Sequence, residues 1–448
     1  MNMFRKTTLS NGLRVLTNKL ESTNAVTVLV LAGAGSRYEK KEINGISHFL
    51  EHMFFKGAKK YKNSKEVAET IDGVGGDFNA FTGKEYAGYY VKVAREKMDT
   101  AFDVLSDMML NAKFDDAEID KERGVILEEY RMYQDTPMYQ IGWNFENLVF
   151  GDQPMGWDEV GTEELIKTVK HDDFAKYKSE LYTTDNVVLV VCGNVDHDEI
   201  VANAEKFFPM EESKKAYDFL PFEPLKEPKK VFLKDKKTEQ AHVCIGFEGY
   251  PEMHPDHWVL KVLSAILGGN MSSRMFLNVR EAHGLAYYIH TSTDNYIDTG
   301  LISTSAGVDV NRIYFAVEKI VDEYKKIALA ANGAVGGTGV QNVADGGSVG
   351  GVASGGVTEE EVKKAQNFLK GKMVLGLEDS EEYAHLLAKY ELLHDKPRTP
   401  EEIMKEIDKV TLADVNRVAA DLFKPERLRL AVIGPYDDPK KFEDLLKW

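Results

Sequence analysis

Apolar and polar positions along the chain alternate between two periods. Four runs are almost wholly apolar: "AVTVLVLAGAGS" (25–36), "NVVLVVCGNV" (186–195), "AHVCIGFEGY" (241–250) and "RLRLAVIGPY" (427–436). Runs of this length, rich in β-branched residues and closed by Gly or Pro, predict apolar strands. Two aromatic stretches, "GGDFNAFTGKEYAGYYVKV" (75–93) and "HGLAYYIHTSTDNYIDTGLISTSAGV" (283–308), predict strand pairs around Gly-containing turns. "TLSNGLRVLTNKL" predicts a hairpin about Asn11-Gly12. Between these lie amphipathic helices, two of which open on "FDDAEIDKER" and "VTEEEVKKAQ", with Asp or Thr as cap and acids in the first turn.

The order of these signals occurs twice. Each half opens on a β-rich run, continues through a helix and the aromatic strands to amphipathic helices, and ends on an apolar strand. The pattern predicts an α+β fold of two homologous α/β sandwich halves related by duplication, each a mixed or antiparallel sheet packed against helices. Residues 209–230 are charged, hold four prolines and lack helical periodicity. They read as a linker, giving an N-terminal half 1–212, a linker 213–230 and a C-terminal half 231–448. The Gly-rich, nearly uncharged segment 328–356 reads as a flexible surface insertion in the second half.

At 448 residues the chain is too long for one core. Its 56 Lys and Arg against 73 Asp and Glu, a net charge of −17, disfavour nucleic acid as a partner. No apolar run reaches the length of a signal peptide core or a membrane span. Cys192 and Cys244 both lie in strand-like runs and read as reduced core residues, so a cytoplasmic location is expected.

One stretch does not fit a packed core. In "NGISHFLEHMFFKG" (44–57), His48 and His52 are one helical turn apart on one face, with Glu51 beside His52. Two imidazoles so spaced can hold one zinc, and the adjacent carboxylate can reach a metal-bound water as its base. A catalytic zinc wants a third protein ligand. The segment "DDAEIDKERGVILEEYRMYQDTP" offers Glu122 and Glu129, seven apart and on one face, with Glu128 turned away. Composition does not choose between that pair. His254 and His257 lack a nearby acid pair and read as capping and packing residues; His283 and His290 read as structural or rim residues. The second half has no such motif.

His48-x-x-Glu51-His52 with "ERGVILEE" resembles the pitrilysin-type (inverzincin) zinc metallopeptidases over nearly the whole chain, and among them the shorter, processing-peptidase-like branch. The resemblance implies Glu129 as third zinc ligand, Glu122 as a supporting carboxylate and Glu51 as general base, with one Zn2+ per chain. It further implies that Asn79, Ala80, Phe81 and Thr82 form an edge strand pairing with an extended peptide. Arg280 and Tyr287, in "SSRMFLNVREAHGLAYYIHTS", match the family's Arg-x6-Tyr element, whose side chains stabilise the oxyanion. The implied function is a zinc endopeptidase or oligopeptidase acting on unfolded peptides in a clamshell chamber, as a homodimer or a heterodimer with a related chain. The alternative is a catalytically silent core or peptide-binding subunit of the same fold. A structural zinc protein is disfavoured, because such sites are usually thiolate-rich and closed.

Overall fold

The computed structural model describes residues 4–331 and 355–448, so most of the Gly-rich segment 328–356 lies outside the described residues. The first sheet contains β1 (Arg5–Thr8), β2 (Arg14–Lys19), β3 (Ala25–Ala32), β4 (Asp77–Thr82), β5 (Ala87–Ala94) and β6 (Val187–Gly193), in the order β1-β2-β6-β3-β5-β4. The second contains β7 (Val231–Asp235), β8 (Gln240–Glu248), β9 (Ala286–Asn295), β10 (Gly300–Asp309) and β11 (Arg429–Gly434), in the order β7-β11-β8-β10-β9. Replacing β2, β3, β4, β5 and β6 by β7, β8, β9, β10 and β11 turns one order into the other. The pairings agree as well: β2 with β6 and β7 with β11 are parallel, and the remaining pairs antiparallel. The predicted duplication is therefore visible strand by strand, with β1 as an addition to the first copy.

The apolar runs fill the central positions. Every residue of β6 and β11 is buried, as is nearly all of β3 and β8. Cys192 and Cys244 are free and buried there, as expected. The Asn11-Gly12 turn joins β1 and β2, with Gly12 at φ 91°.

The helices of the first half are α1 (Ile46–Phe54), α2 (Ser64–Asp72), α3 (Met98–Asn111), α4 (Asp116–Asp135), α5 (Pro137–Phe150), α6 (Glu163–Thr168), α7 (His171–Leu181) and α8 (His197–Phe207). Those of the second are α9 (His257–Gly268), α10 (Ile313–Ala331), α11 (Glu359–Gly376), α12 (Ser380–His394), α13 (Pro400–Lys409), α14 (Leu412–Leu422) and α15 (Pro439–Leu445). No helix among the described residues is long and apolar enough to cross a membrane.

Two compact units form, and they are not the two halves of the repeat. Unit 1 gathers Met1–Met132, Trp157–Leu220 and Met373–Glu402; unit 2 gathers Tyr133–Gly156, Pro221–Lys372 and Ile403–Trp448. Unit 1 thus has α12 of the second half on its sheet, where Tyr383, Ala384, Leu387 and Ala388 pack with Leu16, Leu29, Val188 and Val190. Ser380 Oγ lies 2.8 Å from Thr27 Oγ1, and Lys92 Nζ 2.6 Å from Asp379 Oδ1. In unit 2, α5 of the first half brings Ile141, Phe145 and Val149 against Cys244, Leu301, Ala431 and Ile433. The stretch 209–230 has no helix or strand, and it is pinned. Ser213 N donates to Thr184 Oγ1 at 3.0 Å in unit 1, and Phe222 N to Asp298 Oδ2 at 2.8 Å in unit 2.

Candidate metal centre

Helix α1 buries Ile46, Phe49, Leu50, Met53 and Phe54, leaving His48, Glu51 and His52 on its other face. Its start is held by a buried carboxylate. Glu39 accepts from Gly45 N at 2.7 Å, Ser47 N at 2.8 Å and Asn44 Nδ2 at 2.8 Å, satisfying backbone donors that a helix N-terminus leaves open. Burial pushes the Glu39 carboxyl up, and the donors from Ser47, Gly45 and Asn44 pull it only part of the way back. Gly45 has φ 101°, and a Cβ there would stand 2.5 Å from the Val160 carbonyl oxygen. Gly45→Ala should therefore cost about 2–3 kcal/mol in chemical unfolding, from the left-handed backbone and the clash together. An unfolding midpoint equal to wild type would show that the turn has another conformation.

Helix α4 supplies the acids. The Glu129 carboxylate faces both imidazoles, with Oε1 3.6 Å from His48 Nε2 and Oε2 3.5 Å from His52 Nε2. Glu122 lies behind: His52 Nδ1 donates to Glu122 Oε1 at 2.8 Å, and Lys56 Nζ sits 2.7 Å from Glu122 Oε2. Glu128 points outward and pairs with Arg131. The pair that composition left open is thus divided by geometry, Glu129 facing both Nε2 atoms and Glu122 one Nδ1. His48, His52 and Glu129 form the one cluster of three His, Cys, Asp or Glu donors among the described residues, their atoms within 4.8 Å of one another.

This donor set fits zinc. A tetrahedral site with bonds of 2.0–2.2 Å separates its ligand atoms by about 3.3–3.6 Å, and the two Nε2-to-carboxylate distances are 3.6 and 3.5 Å. The Glu122 bond fixes the His52 proton on Nδ1 and leaves Nε2 its lone pair. Burial lowers the proton affinity of His48. The Glu129 bond and the charges of Glu129, Glu51 and Glu159 outweigh it and hold the imidazole above its ordinary pKa. The pocket calls for positive charge, and a dication would supply it.

Glu51 is tied to the sheet. Thr82 Oγ1 donates to Glu51 Oε2 at 2.6 Å. Thr82 ends β4, the outermost strand, which among the described residues pairs only with β5. Asn79 is exposed, and Ala80, Phe81 and Thr82 are half-buried. The Phe81 ring lies 4.8 Å from that of His385 and over Gly88, where a Cβ would meet it at 2.1 Å. Arg280 and Tyr287 belong to unit 2, whereas the metal donors belong to unit 1. Arg280 stacks on Phe276 at 4.6 Å in a π-helical turn. It lines an open hollow of about 530 Å3 with Tyr287, which is 76% exposed at the start of β9.

His254 Nδ1 accepts from Asp256 N at 3.1 Å, and His257 is buried at the start of α9, a capping and a packing residue respectively. Sequence reasoning did not single out Glu39 or Lys56. Lys56 had a signal, since it stands four positions after His52 in "HMFFKG"; Glu39 had none, because a cap seven positions before its helix is a matter of loop path.

A duplicated α/β sandwich carrying an inverted His-x-x-Glu-His motif and a Glu from a second helix defines a class of zinc peptidases. The chain belongs to peptidase family M16: the insulinase (M16) family profile matches residues 14–149, and the M16 inactive-domain profile matches 168–331. It is 36% identical to the uncharacterized zinc protease YmxG of Bacillus subtilis, over 97% of this chain and 98% of that one. An uncharacterized zinc protease of Streptomyces coelicolor is 33% identical, over 97% and 90%. Among solved structures, a protease from Helicobacter pylori shares the fold at TM-score 0.83 and 24% identity, covering 97% of this chain and all of that one (100%). A chain of complex III2 from Candida albicans shares it at TM-score 0.80 and 17% identity, covering 99% of each chain.

Proposed function

We propose that the chain is a zinc-dependent endopeptidase or oligopeptidase acting on extended, unfolded peptides. The supporting observation is the position of Glu51, bonded to the last residue of an open edge strand and on the same helix face as two converging imidazoles. His48, His52 and Glu129 would hold the zinc, which when bound lowers the pKa of water and polarises a carbonyl. A peptide adds to β4 as a further strand, its backbone paired along Asn79, Ala80, Phe81 and Thr82. Glu51 takes the proton of the attacking water and delivers it to the leaving amine. Glu122, itself held by Lys56, keeps His52 in one tautomer. Arg280 and Tyr287 donate to the developing oxyanion. The test is zinc content measured beside hydrolysis of a quenched peptide library, before and after chelation. Zinc-free protein with undiminished turnover would refute the proposal.

The match of an M16 inactive-domain profile to residues 168–331 suggests the second reading, a silent core or peptide-binding subunit of the same fold. It is set against by the presence of His48, Glu51, His52 and Glu129 together. Zinc-loaded protein that binds peptides without cleaving any would establish it.

The same proposal includes a cytoplasmic homodimer, or a heterodimer with a related chain, whose two chains enclose the substrate and complete each site mutually. Glu51→Gln and Arg280→Ala proteins, each inactive alone, should then regain activity on subunit exchange. Random pairing makes about half the dimers mixed, each with one intact site, so recovery should reach about a quarter of wild type. Verified exchange without recovery would leave the site within one chain.

A further inference from the structure

A second hollow in unit 2, of about 200 Å3, contains none of the metal-site residues. It lies at the end of the β8–β11 pair. The register there sets Arg429 opposite Gly246, and Arg427 lies in the turn just before β11. Both arginine side chains and that of Glu248 line the hollow. Arg429 is 9% exposed and gives Nη1 to the carbonyls of Glu426 at 2.8 Å and Leu428 at 3.0 Å. The Arg427 guanidinium gives Nη1 to the Asp421 carbonyl in a long bond of 3.4 Å. Among the described residues no carboxylate comes within ion-pairing distance of either guanidinium, and no cation within that distance of Glu248. Burial pulls Arg429 down against the opposing influence of Glu248, as befits charges that sense one another without touching. Unlike charges that face one hollow and remain apart leave donors and an acceptor for a guest.

The rest of the lining is mostly apolar and held in place. Val149 of α5, Pro224, Leu225 and Pro228 of the linker and Leu422 of α14 form most of it, completed by Gly249 and by Tyr250, whose hydroxyl donates to Asp421 Oδ2 at 2.7 Å. Leu225 sits against Gly151, where a Cβ would meet it at 2.5 Å. Its segment is strapped down by Gln153, whose side chain donates to the Glu223 carbonyl at 2.9 Å and accepts from Glu223 N at 3.0 Å.

We infer that this hollow binds a free apolar α-amino acid as its zwitterion, with the carboxylate on Arg427 and Arg429, the ammonium on Glu248, and the side chain against Val149, Leu225 and Leu422. The size agrees: about 200 Å3 is room for about seven waters at roughly 30 Å3 each, a single amino acid rather than a peptide. The assignment does not depend on the metal centre or on peptidase activity.

Calorimetry on the full chain with L-leucine tests it. Leucine should bind saturably at one per chain. Leucinamide, which lacks the carboxylate, and 4-methylpentanoate, which lacks the ammonium, should each bind at least about tenfold more weakly; glycine, without a side chain, should also be weaker. Arg427→Ala and Glu248→Gln, both at exposed positions, should each reduce leucine affinity by about tenfold or more and leave zinc content unchanged. No leucine binding at tens of millimolar would overturn the inference. So would leucine binding undiminished in a variant carrying both Arg427→Ala and Glu248→Gln, which would place the amino acid elsewhere, the metal centre included. Equal binding of 4-methylpentanoate and leucine would leave an anion site and sink the zwitterion, and equal binding of glycine would remove the apolar wall from recognition.

Discussion

Glu51→Gln protein should keep one zinc per chain and lose turnover by about 10²–10⁴-fold. The substitution preserves the size of the side chain and its capacity to accept the Thr82 hydroxyl, which now lies 2.6 Å away. It leaves the three converging donors of His48, His52 and Glu129 untouched. What disappears is the carboxylate oxygen proposed to take the proton from water. The measurement pairs metal analysis with steady-state kinetics on one peptide. A variant that loses zinc would show Glu51 to be a ligand, and one that turns over normally would place the base elsewhere.

Glu129→Gln should act on the metal itself. Glu129 approaches both Nε2 atoms, and its replacement removes the only negative charge among the three donors. Zinc affinity, read by competition with a chromophoric chelator, should fall by more than about a hundredfold, with activity lost alongside. Glu122→Gln should fall in the range of about 10–100-fold, as for other partners that orient a ligating histidine. The order of the two variants is the informative result. If Glu122→Gln loses the metal more completely than Glu129→Gln, the roles of the two glutamates are exchanged.

The metal motif and its scaffold were legible to different depths. His48, Glu51 and His52 could be read because a helix turns spacing directly into a common face. The buried strands could be read because a continuous apolar run of that length has few other homes. The edge position of β4 and the Arg280–Tyr287 element came through resemblance; alternation alone marks a strand and not its place in a sheet. The roles of Glu122 and Glu129 could not be separated by residue type, since both lie on one face of α4 and only the position of α1 tells them apart. Least legible was the placement of α5 and α12. An amphipathic helix declares that one side is to be covered, and says nothing about which sheet will cover it.

That placement has a consequence for synthesis on the ribosome. The sheet of unit 1 has all its strands once Gly193 has emerged, yet α12, which covers Leu16, Leu29, Val188 and Val190, ends at His394. At about 5–20 residues per second, this apolar face waits on the order of 10–40 s for its cover. In the meantime α5 has left the exit tunnel with Ile141 and Phe145 facing outward, and the last strand it packs on, β11, comes near the very end of the chain. Neither fragment of a gene cut between the repeats would encode a self-sufficient product, because each would lack a helix encoded by the other. The nascent protein is therefore a natural client for chaperones that shield apolar surface, and a premature stop codon between β6 and α12 would leave the first sheet without α12 and the second without β11.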